Sequence, residues 1–99
     1  MKDDRIATFR ASLAAATPPA GASAAVRGLW WQGKGDWERA HAAVQEDESD
    51  PINALVHAHL HRVEGDLANA GYWYRRAGRG AATGGLEAEW TALVAELAG

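Results

Sequence analysis

Apolar residues recur along this chain at spacings of three and four positions, which is the period of an α-helix. Within residues 3–16, Ile6, Phe9 and Leu13 mark one helical face. Residues 86–98 carry a continuous apolar stripe, made of Leu86, Trp90, Leu93, Val94 and Leu97. The pattern predicts an amphipathic helix at each end of the chain.

Turn signals divide the middle of the chain into four further helices. Gly35-Asp36 and Gly65-Asp66 each join a glycine, which readily adopts the left-handed conformation that ends a helix, to an aspartate that can cap the next helix. Asp50-Pro51 is a helix start of another kind, with aspartate as the N-cap and proline at the first helical position. The predicted helices are residues 24–34, 37–48, 52–64 and 67–79.

The same middle region contains a repeat. Gly-Asp, an apolar residue, two variable residues and Ala occur at 35–40 and again at 65–70. Because a single helical hairpin cannot bury its apolar face alone, two hairpins in tandem are typical of a solenoid fragment. We therefore expect an all-α fold of two helical hairpins flanked by an N-terminal and a C-terminal amphipathic helix. The expected single domain, 1–99, comprises an N-terminal helix with its proline stop (1–19), a first hairpin (20–50), a second hairpin (51–79), a linker (80–85) and a C-terminal capping helix (86–99).

The pattern resembles the tetratricopeptide-like (TPR-like) helical repeat family over roughly residues 22–78. The matching small and apolar positions are Gly28, Ala40, Ala58, Ala70, Tyr74 and Ala77. The repeat here differs from that of the family, which has a usual period of about 34 residues, because its two units lie only 30 residues apart. Residues 35–41 and 72–78 also look like segments of short bacterial proteins of unassigned function, and that likeness implies no activity.

The resemblance implies a protein-interaction or scaffold module with an apolar concave groove. The groove residues that it assigns are Leu29, Gln32, Leu55, Val56, His59, Arg62 and Val63. An apolar surface of that size is rarely left in water, so we expect something to cover it. The N-terminal helix, the C-terminal helix, a second copy of the chain or the helix of a partner protein or peptide could do so.

Three histidines and one glutamate form a second candidate site. His57 and His61 are four residues apart with Glu64 three further on, so all three lie on one helical stripe. His41 lies on the preceding antiparallel helix, roughly opposite. Such a set could bind zinc or another divalent metal, or supply acid–base chemistry. The histidines could equally be structural, bonded to Glu64 or Tyr74. The alternative function is therefore that of a small metal- or ligand-binding protein, or of an enzyme, that uses this cluster. No motif is specific enough to name a reaction.

Composition narrows these functions further. The chain has 99 residues, and its net charge of −3 argues against nucleic-acid binding. It contains no cysteine, which excludes disulfides and thiolate chemistry. No run approaches the roughly 18 apolar residues of a membrane span, and no signal peptide is recognised, so we expect a cytoplasmic protein. Beyond a metal at the histidines, no cofactor is predicted. The tryptophans expected in the core are Trp30, Trp37, Trp73 and Trp90, with Trp31 on another face.

Overall fold

Residues 2–98, which the computed structural model describes, form six α-helices and one short 3-10 helix. The α-helices are α1 (Lys2–Ser12), α2 (Ala24–Gly33), α3 (Trp37–Val44), α4 (Pro51–Glu64), α5 (Leu67–Ala77) and α6 (Leu86–Leu97), and the 3-10 helix (Gln45–Asp47) follows α3. The described residues contain no strand. The prediction of an all-α fold is confirmed.

The turns form as the local sequence predicts. Gly35 and Gly65 have φ angles of 80° and 87°, in the left-handed region that favours glycine. Asp36 and Asp66 each accept a hydrogen bond at 3.1 Å from the backbone N–H three residues on, and so cap α3 and α5. Asp50 accepts from the second and third residues of α4, whose first residue is proline. Both hairpins are therefore defined by local chemistry.

Three helices end two or more residues earlier than predicted. The first ends at Ser12 rather than at residue 16, because the next three backbone N–H groups bond to carbonyls only three residues back. The Lys34 ammonium donates to the carbonyls of Leu13 and Ala15, and so binds two backbone acceptors just beyond the end of this helix. The third helix changes to the 3-10 form after Val44, and the fifth ends at Ala77, before a glycine in the left-handed conformation.

Helix α4 lies at the centre of the fold, and its residues from Asn53 to His61 are all buried. Gly28 of α2 lies close to it: a Cβ atom added there would be 2.9 Å from Val44 Cγ1 and 3.2 Å from Val56 Cγ1. The small residue predicted at this position thus allows α2 to approach both α3 and α4. Val56, which was expected on the groove surface, packs between the hairpins and is fully buried.

The expected groove is covered by α6. Trp90 of α6 donates from its ring N–H to the carbonyl of Leu29 at 2.9 Å, and its ring lies against that of Phe9 of α1, with centroids 5.8 Å apart. Leu29 and Leu55 are 0% and 4% exposed. Of the alternatives left open by the sequence, the C-terminal helix is therefore the occupant, with α1 packed beside it.

Trp30, Trp73 and Trp90 are buried, as expected. Trp31 is partly exposed, and so is Trp37, which was expected in the core but is only partly buried against it. None of the helices in the described part of the chain combines the length and the apolarity needed to cross a bilayer.

Candidate functional site

The antiparallel pairing of α3 with α4 brings the three predicted histidines together. The Nε2 atoms of His41 and His57 are 2.9 Å apart. The His61 ring lies with its centroid 5.3 Å from that of His41 and 4.9 Å from that of His57. Each residue offers one ligand nitrogen, and these nitrogens all lie within 4.8 Å of one another. We call His41, His57 and His61 the histidine cluster.

Glu64, the fourth predicted residue, acts on the cluster through a hydrogen bond to one of its rings. Its Oε1 lies 2.5 Å from Nδ1 of His61, one turn earlier on the same helix. A carboxylate only accepts, so His61 donates from Nδ1, and in a neutral imidazole Nε2 is then the nitrogen with the lone pair. This arrangement is the one that orients metal-binding histidines and makes them better ligands.

Two tryptophans form walls of the cluster. Trp37 stacks on His41 with ring centroids 4.6 Å apart and planes 13° from parallel, and Trp73 stacks on His57 at 3.9 Å and 15°. The Trp37 ring is itself fixed, because its N–H donates to the Leu60 carbonyl at 2.7 Å. The sequence indicated that these aromatic residues belong to the core and gave no signal that they contact the histidines.

The surroundings of His57 keep its imidazole neutral. Burial, reinforced by the neighbouring His41 and His61, lowers the pKa of His57 to about 3. Burial and His61 also lower the pKa of His41, against the opposing effect of Glu64 and Glu48. Nδ1 of His57 is buried and has no hydrogen-bond partner within residues 2–98. A metal ion binds a neutral imidazole through a nitrogen that carries no proton, and the surroundings of His57 maintain the neutral form.

The fourth histidine belongs to a different polar cluster, under α6. Glu89 accepts from Nδ1 of His59 at 2.7 Å, from the Arg62 guanidinium at 2.9 Å and from the Tyr74 hydroxyl. Burial alone would raise the pKa of Glu89, but the three donors outweigh it and lower that pKa. Burial, and then the contact with Glu89, raise the pKa of Tyr74 well above its usual range. We call Glu89, His59, Arg62 and Tyr74 the α6 anchor.

The α6 anchor corrects one expectation and specifies another. Tyr74, expected as a possible hydrogen-bond partner of the cluster histidines, donates to Glu89 instead. His59 and Arg62, expected on the groove, are bound to α6, one of the occupants that the sequence left open. Sequence reasoning missed Glu89, although a signal existed: Glu89 follows Leu86 by three residues and precedes Leu93 by four, and so lies on the apolar stripe of α6.

Helix α6 does not fill the groove completely. A cavity of about 190 Å³ remains between α1, α2, α4 and α6, and three of the predicted groove residues, Gln32, His59 and Val63, line it. The Oε1 atom of Gln32, one of these lining residues, is buried without a hydrogen-bond partner in the described part of the chain. Three of the seven residues predicted for the groove therefore line a concave surface that α6 partly covers.

The fold and the histidine cluster define an all-α protein of two helical hairpins with three imidazoles packed between tryptophans. Comparisons with protein-family profiles, curated proteins and solved structures found no match to the chain. Its function must therefore be argued from these sites.

Proposed function

We propose that this protein is a small helical-repeat module that binds a divalent transition-metal ion, with zinc as the leading ion, through His41, His57 and His61. The observation that carries the proposal is that three ligand nitrogens from two antiparallel helices lie within 4.8 Å of one another. Imidazole nitrogens suit zinc, copper and nickel, whereas magnesium and calcium prefer oxygen ligands. The histidine cluster therefore favours a transition metal.

The spacing of one nitrogen pair of the histidine cluster is close to that of a zinc site. Two nitrogens bound to a tetrahedral zinc ion at about 2.0–2.1 Å lie about 3.3 Å apart. The Nε2 atoms of His41 and His57 are 2.9 Å apart, so the distance between them must increase by only a few tenths of an ångström when zinc binds. The hydrogen bond between these rings would be replaced by two metal–nitrogen bonds. Three protein ligands leave a fourth position for water or for a ligand from solution.

The surroundings also support a bound metal. Glu64 orients His61, and the stacked rings of Trp37 and Trp73 restrict His41 and His57. Little side-chain freedom remains to be lost when an ion binds, which favours affinity. The tryptophan rings also place natural fluorophores directly against two of the three ligands.

The test compares unfolding with zinc and with a chelator. Zinc at a hundred times its Kd should raise the free energy of unfolding by about 2.7 kcal/mol, equivalent to roughly 10–20 °C in Tm for a domain of this size. His41→Ala and His57→Ala should remove the rise. His59→Gln is the matched control, because it alters a buried histidine outside the cluster and should keep the difference between zinc and chelator.

A second measurement reports the site directly. Binding of Co²⁺ should produce the visible absorption of a nitrogen-ligated tetrahedral ion, and Cu²⁺ should quench the fluorescence of Trp37 and Trp73. Identical melting curves with zinc and chelator, together with a featureless Co²⁺ spectrum, would rule out the metal function.

The groove supports a second candidate function, that of a protein-interaction module in the cytoplasm. The observation that favours it is that the groove already holds a helix, α6, on an eight-residue linker, 78–85, that contains four glycines. A partner helix, or α6 of a second copy, would bind in its place. Sedimentation of the intact protein tests the second-copy version: exchange of α6 gives dimers at high concentration, and a monomer throughout argues against it.

A further inference from the structure

The cavity that α6 leaves in the groove has the features of a second binding site, separate from the histidine cluster. Its volume is about 190 Å³. Its apolar walls are formed by Leu13, which follows α1, by Val63 of α4, and by Leu86 and Trp90 of α6. Gln32 and His59 supply its polar groups. A concave apolar site with a few converging polar atoms is the usual form of a small-molecule site.

Each of the two polar side chains has a hydrogen-bond acceptor for which the described residues supply no donor. Oε1 of Gln32 is buried and unpartnered among residues 2–98. His59 donates from Nδ1 to the Glu89 carboxylate, so Nε2 is the ring nitrogen left for a ligand, and in a neutral imidazole it is an acceptor. His59 is only 1% exposed, and buried acceptors of this kind are normally satisfied. The cavity therefore calls for a group that donates an O–H or N–H.

The charges at the rim exclude an ionic ligand. Arg10 donates to Glu87 at 2.8 Å and to Thr91 at 3.0 Å, so its positive charge is already paired. The same guanidinium lies 5.0 Å from the centroid of the Trp90 ring, where it occupies the position a ligand cation would take. An anion would meet Glu87 and two acceptors. An uncharged molecule is the one that this lining suits.

The size of the cavity restricts the ligand further. An apolar protein cavity of about 150 Å³ is known to bind benzene. A cavity of about 190 Å³ has room for one such ring with a small polar substituent, or for a compact fused ring. We propose that this cavity binds an uncharged aromatic molecule of the size of phenol or indole, whose O–H or N–H group donates to Gln32 Oε1 or His59 Nε2.

The test uses the intact protein with phenol and toluene as a matched pair. The two probes have nearly the same size, but toluene has a methyl group where phenol has its donor. Titration followed by the NMR signal of the Trp90 ring N–H should show saturable binding of phenol. Toluene should bind about fivefold more weakly, because it leaves the acceptors unpaired and one hydrogen bond typically changes affinity by roughly that factor.

Variants locate the binding. Gln32→Met keeps the volume of the side chain but removes the acceptor, and it should reduce the preference for phenol over toluene. Val63→Phe fills the cavity and should abolish binding of both probes, and Leu13→Phe is a second filling variant if the first does not fold. Leu67→Phe is the control, since it adds the same ring at a position that is 69% exposed and outside the cavity. His57→Ala should leave phenol binding unchanged.

Three results would overturn the proposal. Equal affinity for phenol and toluene would mean that the acceptors do not select the ligand. Binding that survives both filling variants would place the probe elsewhere. An absence of binding by either probe would mean that the cavity holds ordered water only.

Discussion

Glu89 offers the sharpest test of how α6 is held on the groove. It accepts from His59, Arg62 and Tyr74, and its side chain is only 9% exposed. Glu89→Ala leaves a guanidinium, an imidazole and a phenol without their acceptor. Removal of one partner from a buried ionic cluster typically costs about 3–5 kcal/mol. For a small domain with a total stability of roughly 5–15 kcal/mol, that is a large loss.

Glu87 provides a matched control two residues away on the same helix. It also pairs with an arginine, Arg10, at 2.8 Å, but its side chain is 74% exposed. Exposed ion pairs contribute about 0–1 kcal/mol, so Glu87→Ala should have a small effect. Urea unfolding of the three proteins gives the comparison. A smaller m value for Glu89→Ala would indicate that α6 has already left the groove in the native state.

The contribution of the Glu89 carboxylate to the free energy of unfolding should depend on pH. The pKa of Glu89 is lower in the folded protein than the ordinary value of about 4.3 expected after unfolding. The carboxylate therefore stabilises the fold at pH values above about 4.3, and this contribution is lost as the pH falls through the folded-state pKa. Wild type and Glu89→Gln should differ most above pH 5 and converge in stronger acid. Equal stability of Glu89→Ala and Glu87→Ala at pH 7 would refute the anchoring role.

Three further predictions concern the hairpins. Gly28→Ala should destabilise by up to about 2 kcal/mol, because overpacking against Val44 costs about 1–3 kcal/mol while the helix gains only about 1 kcal/mol. Gly71→Ala, where the added Cβ meets only the flexible end of Arg75 at 3.4 Å, should stabilise by about 0.5–1 kcal/mol, and thermal unfolding distinguishes the two signs. Asp66→Ala should cost about 1 kcal/mol through loss of the α5 cap, and an unchanged denaturant midpoint would contradict it.

Local signals made the helices predictable. A glycine followed by aspartate, at residues 35–36 and 65–66, acts over three or four residues, so its effect can be inferred without knowing the rest of the fold. The same locality brought His57, His61 and Glu64 onto one stripe, and the hairpin then placed His41 opposite. These relations depend only on the period of the α-helix and on the single connection between α3 and α4.

Contacts between elements distant in sequence were not predictable in the same way. Which helix covers the groove depends on competition between α1, α6 and other chains, and nothing within either helix decides it. The role of Glu89 depends on donors 15 to 30 residues away. The stacking of Trp73 on His57 likewise follows from the packing of α5 on α4. Helical periodicity predicts which face of α5 is buried, but not which side chain of α4 a given residue contacts.

The glycine-containing linker before α6 has a consequence for any competitor of that helix. A short flexible tether keeps a covalently attached segment at an effective concentration in the millimolar range. A free helix present at micromolar concentration must therefore bind the groove about a thousandfold more tightly than α6 does before it occupies half of the molecules. Helix α6 thus sets an affinity threshold that only a strong helical ligand can exceed, and weakening of the Glu89 contacts lowers that threshold without any change in the groove.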